Sequence, residues 1–223
     1  MTAKADDHAE ERERVGDWGC TSSGRRYYPA DPRPGDFDIE DIAHALSLQC
    51  RFGGHVRRHY SVAEHCVHVS YECCGKYTLD GLLHDASEAY LVDMPRPAKG
   101  APGMEGYGRM EARLMAALIP QLRNFPRRRP VNVWETPACV AVADERMLAT
   151  EARDLMPQDG PGGVKGWSLN HEPYPHLSVR RPWGHAKAKR RFLRRYRELT
   201  WQTTRWDRFV IAVRRLLGKD GCR

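Results

Sequence analysis

Apolar stripes with helical spacing recur along most of this chain, and glycine or proline closes many of them. Asp38 is suited to cap the first stripe, and Gly53-Gly54 ends the stretch that follows it. No alternating βα pattern and no internal repeat is found, so the sequence predicts an all-α fold. The predicted helices cover about 38–47, 61–74, 79–90, 104–119, 140–155, 185–199 and 204–217.

The 223 residues suit one domain with appendages. Residues 1–17 hold many charges and few apolar side chains, so we expect a disordered leader there. The domain itself is predicted over 18–200, with a short hairpin around Tyr27 and Tyr28 before the first helix. A basic amphipathic helix over 201–223 is predicted to follow the domain.

Composition excludes several classes of protein. The mean hydropathy is -0.68, and no apolar run approaches the roughly 20 residues of a membrane-spanning helix. The charged N-terminus is not a secretory signal, so we expect a cytoplasmic protein. The seven cysteines lack C-x-x-C spacing, and none has an evident basic, helix-start setting. They are interpreted as reduced, packing thiols.

Charge is distributed unevenly. Residues 180–223 contain fifteen Lys or Arg and three Asp or Glu, a net +12 in a chain whose total is +7. The two apolar stripes in this region predict helices packed on the domain or on a partner subunit, with arginines outside. The alternative is a surface for nucleic acid or for an anionic membrane, because basic amphipathic helices bind both.

One group of residues predicts a metal site. The pair His84-Asp85 lies in an apolar helical pattern, where a charge is costly unless something compensates it. Helical spacing places Glu88 near this pair, and an antiparallel neighbouring helix brings His65 towards it. Asp144 lies in another apolar stripe. Two imidazoles and two carboxylates suit one divalent ion, such as Co, Mn, Zn, Fe or Mg.

The same residues carry a resemblance. The segments in question are Tyr60-Ser-Val-Ala-Glu-His65, Leu82-Leu-His84-Asp85-Ala-Ser-Glu88-Ala-Tyr90, Asp93-Met-Pro-Arg-Pro-Ala-Lys99, and Ala143-Asp144 ahead of Glu151-Ala152. In this order they resemble the HD-domain phosphohydrolases, and especially the bacterial 5'-deoxynucleotidases and their bacteriophage relatives. The resemblance covers about 20–200. It implies an HD-domain helical bundle and metal-dependent hydrolysis of deoxynucleotides.

The resemblance also implies roles for individual residues. Glu88 becomes the general acid/base near the attacking water, supported by Asp93. Arg51 matches the arginine that contacts the nucleotide phosphate, and Phe52 stands where that group has a tryptophan that reads the deoxyribose. Phenylalanine lacks the indole donor, so rejection of ribonucleotides is expected to be weak. The implied metal ligands are His65, His84, Asp85 and Asp144.

Several alternatives remain open at this stage. His55 and Lys99 are candidates for the phosphate pocket or for solvated positions. The substrate is either a deoxynucleoside 5'-monophosphate or a dNTP, such as dATP, from which triphosphate is released. We also expect a homo-oligomer, a dimer or a hexamer. The alternative class is a nucleic-acid-binding protein that uses the arginine-rich C-terminal helices and has a vestigial pocket.

Overall fold

The computed structural model describes residues 14–123 and 135–216, with side chains described as far as residue 200. The described chain is predominantly helical, which confirms the all-α prediction. A two-stranded antiparallel hairpin, β1 (Gly19–Cys20) and β2 (Arg26–Tyr27), precedes the helices. The helices are α1 (Ile39–Leu48), α2 (Val62–Glu72), α3 (Thr78–Leu83), α4 (Glu88–Leu91), α5 (Arg96–Lys99), α6 (Glu105–Leu122), α7 (Ala138–Leu155) and α8 (His185–Leu216).

The predicted caps of the first two helices are largely present. The Asp38 side chain accepts from the Glu40 backbone N–H at 2.8 Å and begins α1. The Ser61 hydroxyl accepts from the Glu64 N–H at 3.2 Å and begins α2. The reciprocal half of the expected capping box is replaced, because Glu64 accepts from the Trp183 N–H at 2.7 Å. Glu64 therefore ties the start of α2 to the segment before α8.

The single predicted helix over 79–90 is interrupted. α3 ends at Leu83, a turn covers 84–87, and α4 begins at Glu88. Backbone bonds in the turn run from residue i to i-3, as in Glu88 N–H to Asp85 C=O at 3.0 Å. The turn therefore has 3-10-type rather than α-helical hydrogen bonding. The apolar spacing of the sequence is compatible with either geometry.

The two predicted C-terminal helices are one continuous helix, α8, so the break expected between 199 and 204 is absent. The joining sequence, Thr-Trp-Gln-Thr-Thr, contains no glycine or proline to break a helix. The Thr200 hydroxyl donates a hydrogen bond to the Tyr196 carbonyl, one turn earlier, at 2.8 Å, and the helix continues past it.

The core lies between the long helices. Buried apolar residues of α1, α2, α3, α6 and the first half of α8 form one cluster. Ala188, Phe192 and Leu193 belong to this cluster. The first part of α8 therefore packs on the domain, in agreement with the packing alternative of the sequence analysis. A second cluster between α2 and α7 includes Val69 and Met147. α2 contributes residues to both clusters, so it joins α7 to the rest of the bundle.

Three segments of the chain are not described by the structure. Residues 1–13 of the predicted leader, 124–134, and 217–223 of the predicted final helix lie outside the described residues. The last residues of the leader are placed, because the Arg14 guanidinium pairs with Asp36 at 2.9 Å. None of the described helices has the length and apolar character needed to cross a membrane.

Candidate metal centre

Four predicted ligands, drawn from three parts of the chain, meet in the structure. His65 comes from α2, His84 and Asp85 from the turn after α3, and Asp144 from α7. His65 Nε2 lies 3.2 Å from His84 Nε2 and 3.1 Å from Asp144 Oδ1. His84 Nε2 lies 3.2 Å from Asp85 Oδ2. His65 is fully buried, whereas the Asp85 and Asp144 side chains are 18% and 25% exposed, so solvent reaches the carboxylates.

The two imidazoles are oriented from outside the centre. His65 Nδ1 lies 2.6 Å from Glu151 Oε1, and His84 Nδ1 lies 2.9 Å from the Gly81 carbonyl oxygen. Each Nδ1–H donates to its oxygen, which leaves Nε2 of each ring directed inwards. Two Nε2 atoms 3.2 Å apart, beside two carboxylates, require positive charge among them, from ring protons or from a metal ion that replaces those protons. The residues therefore fit a divalent ion.

The charges of the carboxylates agree with a cation site. Burial disfavours the charged form of Asp85, yet neighbouring His84 lowers its pKa to about 2. Burial likewise opposes charge on Asp144, but the adjacent imidazoles of His65 and His84 hold its pKa well below the usual range. Both carboxylates are therefore ionised at neutral pH. Cys66, His84 and Asp85 form a second group of closely placed ligand atoms, and burial raises the pKa of the Cys66 thiol to about 11.

Glu151 contacts both His65 and Arg51, although the sequence analysis assigned it no role. Its side chain is fully buried, with Oε1 bound to His65 and Oε2 accepting from Arg51 Nε at 3.0 Å. Burial opposes its charge, but Arg51 and His65 lower the pKa of Glu151 below the ordinary value. Its position seven residues after Asp144 places it on the same face of α7, and this spacing was the available signal.

The predicted acid/base pair lies at the two ends of residues 88–93, beside the centre; this segment, called the acidic loop below, begins with the single helical turn of α4. Glu88 Oε2 and Asp93 Oδ2 are buried and make no hydrogen bond within the described residues. Burial and the Asp85 charge raise the pKa of Glu88 well above its usual range. Gln49 holds both ends of the loop, because its Nε2 donates to the Glu88 carbonyl at 2.8 Å and its Oε1 accepts from the Asp93 N–H at 2.9 Å.

A strained residue bends the loop between Glu88 and Asp93. Val92 has a φ of +94°, a region that a β-branched residue rarely adopts. The Tyr107 hydroxyl donates to the Val92 carbonyl at 2.6 Å, and the Val92 N–H donates to the Glu88 carbonyl at 2.9 Å. These bonds hold the loop in the strained conformation, which local sequence preference does not predict.

Arg51 and Phe52 lie at the edge of the centre. Arg51 Nη1 is 3.5 Å from Asp85 Oδ2, in addition to the bond to Glu151. Phe52 adopts a φ of +58°, and its ring centre lies 5.8 Å from the Arg51 guanidinium carbon and 6.2 Å from the ring centre of Trp167. Trp167 was not predicted, because it belongs to a distant loop.

The other two predicted substrate contacts are placed differently. Lys99 is already paired, since its Nζ donates to Glu111 at 2.8 Å, and His55 is exposed in the loop after Phe52. Arg96, which was not predicted, brings a guanidinium nitrogen to 3.4 Å from Asp144 Oδ2. Arg96 is 56% exposed, so it borders the open side of the centre.

Comparison with known proteins identifies relatives. No protein-family model matches the chain. It is 41% identical over 140 residues to the uncharacterized protein YfdR of Escherichia coli strain K12, covering 63% of this chain and 73% of that protein. It is 32% identical over 176 residues to the uncharacterized protein RCAP_rcc00048 of Rhodobacter capsulatus, covering 72% of this chain and 89% of that protein. The chain belongs to the same family as these two proteins.

Proposed function

We propose that this protein is an HD-type, metal-dependent phosphohydrolase that acts on deoxynucleotides. The observation that carries the proposal is the meeting of two inward-directed imidazole nitrogens with the carboxylates of Asp85 and Asp144. This mixed N/O set suits Co, Mn, Zn, Fe or Mg. The resemblance to HD-domain phosphohydrolases supports the same four ligands and an HD-domain arrangement of the helices.

Phosphate ester hydrolysis requires charge neutralisation, a nucleophilic water and a proton for the leaving oxygen. A divalent ion held by these ligands would neutralise phosphate charge and make water nucleophilic near neutral pH. Glu151 and Asp85 position the Arg51 guanidinium, whose other N–H groups would bind phosphate oxygens. Glu88 carries the proton at its unpaired, buried Oε2, and Asp93 supports its protonation through like charge.

Two substrates fit the proposal equally. In a deoxynucleoside 5'-monophosphate or in a dNTP, water bonds to the phosphorus atom next to the sugar, and the bond from that phosphorus to the 5' oxygen breaks. The sugar oxygen takes a proton in both reactions, so the same residues serve both. Phe52 offers an apolar wall to the sugar and would reject a 2'-hydroxyl weakly.

The test uses the full chain, loaded with Mn or Co and given a panel of ribo- and deoxynucleotides, with products separated by chromatography. We expect metal-dependent release of phosphate or triphosphate. Glu88→Gln should keep stoichiometric metal and lose about 10²- to 10⁴-fold in rate. Asp85→Ala should lose both metal and activity, and the exposed Glu105→Gln should lose neither. Full metal occupancy in Asp85→Ala, or no hydrolysis by the metal-loaded wild type, would overturn the proposal.

A second candidate function, binding of single-stranded nucleic acid, is favoured by a separate groove. This basic groove has a volume of about 640 Å³, and Arg58, Arg181 and His185 line it. Neither arginine forms an ion pair with a described residue. Trp183 also lines it, with the guanidinium carbon of Arg191 at 4.5 Å from its ring centre. Unpaired cations beside an aromatic ring match the backbone and base contacts of single strands.

Anisotropy titrations with a fluorescent oligothymidine at several salt concentrations test this second candidate. Removing the two charges of Arg58 and Arg181 by substitution with Gln should reduce the slope of log affinity against log salt by about 1.4. The exposed Lys165→Gln is the matched control. An unchanged slope in the double variant, or no binding by wild type at low salt, would exclude this groove.

A further inference from the structure

Three cysteines meet at a point away from the metal centre. Cys73 and Cys74 follow the end of α2, and Cys139 lies in the first turn of α7, 65 residues further along than Cys74. The Cys74 backbone N–H donates to Cys139 Sγ at 3.0 Å. The side chains of both Cys73 and Cys74 also contact the Cys139 sulfur. Cys139 packs against the second apolar cluster as expected, but the expectation that no cysteine lies at a helix start is wrong for it.

The surroundings distinguish the reactivity of the three sulfurs. Cys139 receives hydrogen bonds at the N-terminus of an 18-residue helix, where the helix dipole favours a thiolate. The Cys74 side-chain and backbone hydrogen bonds lower the pKa of Cys139, whereas burial raises the pKa of Cys73 to about 12. Cys139 is therefore the more nucleophilic of the two.

Access from solvent follows the same division. All three cysteines line a cavity of about 730 Å³, but only Cys74 is exposed and Cys139 partly exposed. Cys73 is buried, and its Sγ lies only 2.6 Å from the place where a Cβ on Gly81 would be. Cys73 is thus packed against α3, while Cys74 contacts Cys139 from the exposed side.

We propose that Cys139 and Cys74 form an oxidation-sensitive dithiol, which a peroxide oxidises to a disulfide. The Cys139 thiolate attacks one oxygen of hydrogen peroxide, the O–O bond breaks, and the other oxygen leaves as water after taking a proton. Cys139 is then a sulfenic acid. The Cys74 sulfur attacks the Cys139 sulfur, the S–O bond breaks, and hydroxide leaves as water with the Cys74 proton. The two thiols lose two electrons, and one peroxide becomes two waters.

This disulfide would join the two helices that supply metal ligands. Cys74 lies just past the end of α2, which carries His65, and Cys139 lies five residues before Asp144 on α7. Among the described residues, the groups of closely placed ligand atoms include Cys66 but neither Cys74 nor Cys139. The dithiol therefore does not depend on the proposed hydrolase function.

The test treats the reduced, full-length protein with hydrogen peroxide, quenches it with an alkylating reagent and maps the tryptic peptides by mass spectrometry. We expect a Cys74–Cys139 cross-linked peptide, two hydrogens lighter than the sum of its parts and released by dithiothreitol. Cys139 should react at least about tenfold faster than the exposed Cys20, which lies in the hairpin and serves as the internal control.

Two variants separate the roles of the sulfurs. Cys74→Ser should leave a Cys139 sulfenic acid that dimedone captures, and Cys139→Ser should abolish the cross-link and slow the oxidation of Cys74 to the rate of Cys20. Circular dichroism confirms that both variants are folded. A Cys139 that reacts no faster than Cys20, or a cross-link to Cys73 in place of Cys74, would overturn the proposal.

Discussion

Replacing Glu151 by glutamine tests how the metal centre is oriented. The carboxylate has two acceptor oxygens, one for His65 Nδ1 at 2.6 Å and one for Arg51 Nε at 3.0 Å. Glutamine has the same shape but only one acceptor oxygen, and its other end is a donor. If the oxygen stays with Arg51, the amide donates to His65 Nδ1, and the ring proton must move to Nε2. If the oxygen stays with His65, two donors face each other at Arg51.

The size of the effect follows from these two arrangements. A proton on His65 Nε2 removes one ligand, and loss of an orienting partner typically costs 10- to 100-fold in metal affinity, about 1.4 to 2.7 kcal/mol. A facing donor pair instead leaves the buried Arg51 charge poorly matched, which destabilises the fold by about 3 kcal/mol. We therefore expect weaker metal binding, lower stability of the metal-free protein, or both.

Calorimetric titration with Mn or Co and urea unfolding of the metal-free protein measure the two quantities. Glu145→Gln is the matched control, because Glu145 lies on the same helix and contacts His171 at 3.3 Å, away from the centre. Wild-type metal affinity together with wild-type stability in Glu151→Gln would refute the orienting role of Glu151.

The remaining predictions concern substrate binding, the core and acid stability. Arg51→Lys should retain metal but lower kcat/KM by a factor that corresponds to about 1.5 to 3 kcal/mol of lost transition-state stabilisation, since lysine cannot reproduce the guanidinium contacts. Unchanged kinetics would place the substrate elsewhere. Phe192→Ala should reduce the free energy of unfolding in urea by about 3 to 5 kcal/mol, and a loss below about 1 kcal/mol would contradict the docking of α8. Despite burial, a hydrogen bond from Arg153 and one from the Val179 N–H lower the pKa of Asp154. Ionised Asp154 therefore stabilises the fold above a pH of about 4, and this stabilisation is lost as the pH falls. The difference in free energy of unfolding between wild type and Asp154→Asn should accordingly disappear on acidification. A difference that stays constant from about pH 7 to 3 would contradict this.

Local sequence information was sufficient where the determinants lie within a few residues. The caps at Asp38 and Ser61 and the apolar spacing of α1 and α2 placed these helices to within one or two residues. The four candidate ligands come from distant parts of the chain; their residue types and order suggested that they meet, and the structure brings these side chains together.

Features that depend on long-range packing were not predicted. The meeting of Cys74 with Cys139 needs α7 to lie against α2, and the pairing of Glu151 with Arg51 spans 100 residues. The turn over 84–87 was missed for a different reason, because i+3 and i+4 bonding leave the same apolar pattern. The continuity of α8 was missed because a change of stripe was interpreted as a break, although no breaking residue is present.

The Gln49 contacts described above have an energetic consequence for the buried carboxylates of Glu88 and Asp93. The Gln49 carbonyl also accepts from the Val62 N–H at 3.2 Å, so one residue joins the start of α2 to both ends of the acidic loop. Separating the two carboxylates therefore requires breaking a hydrogen bond that folding has already made. The electrostatic cost of holding them together is incurred during folding, and an incoming ligand meets a preorganised pair that needs little rearrangement.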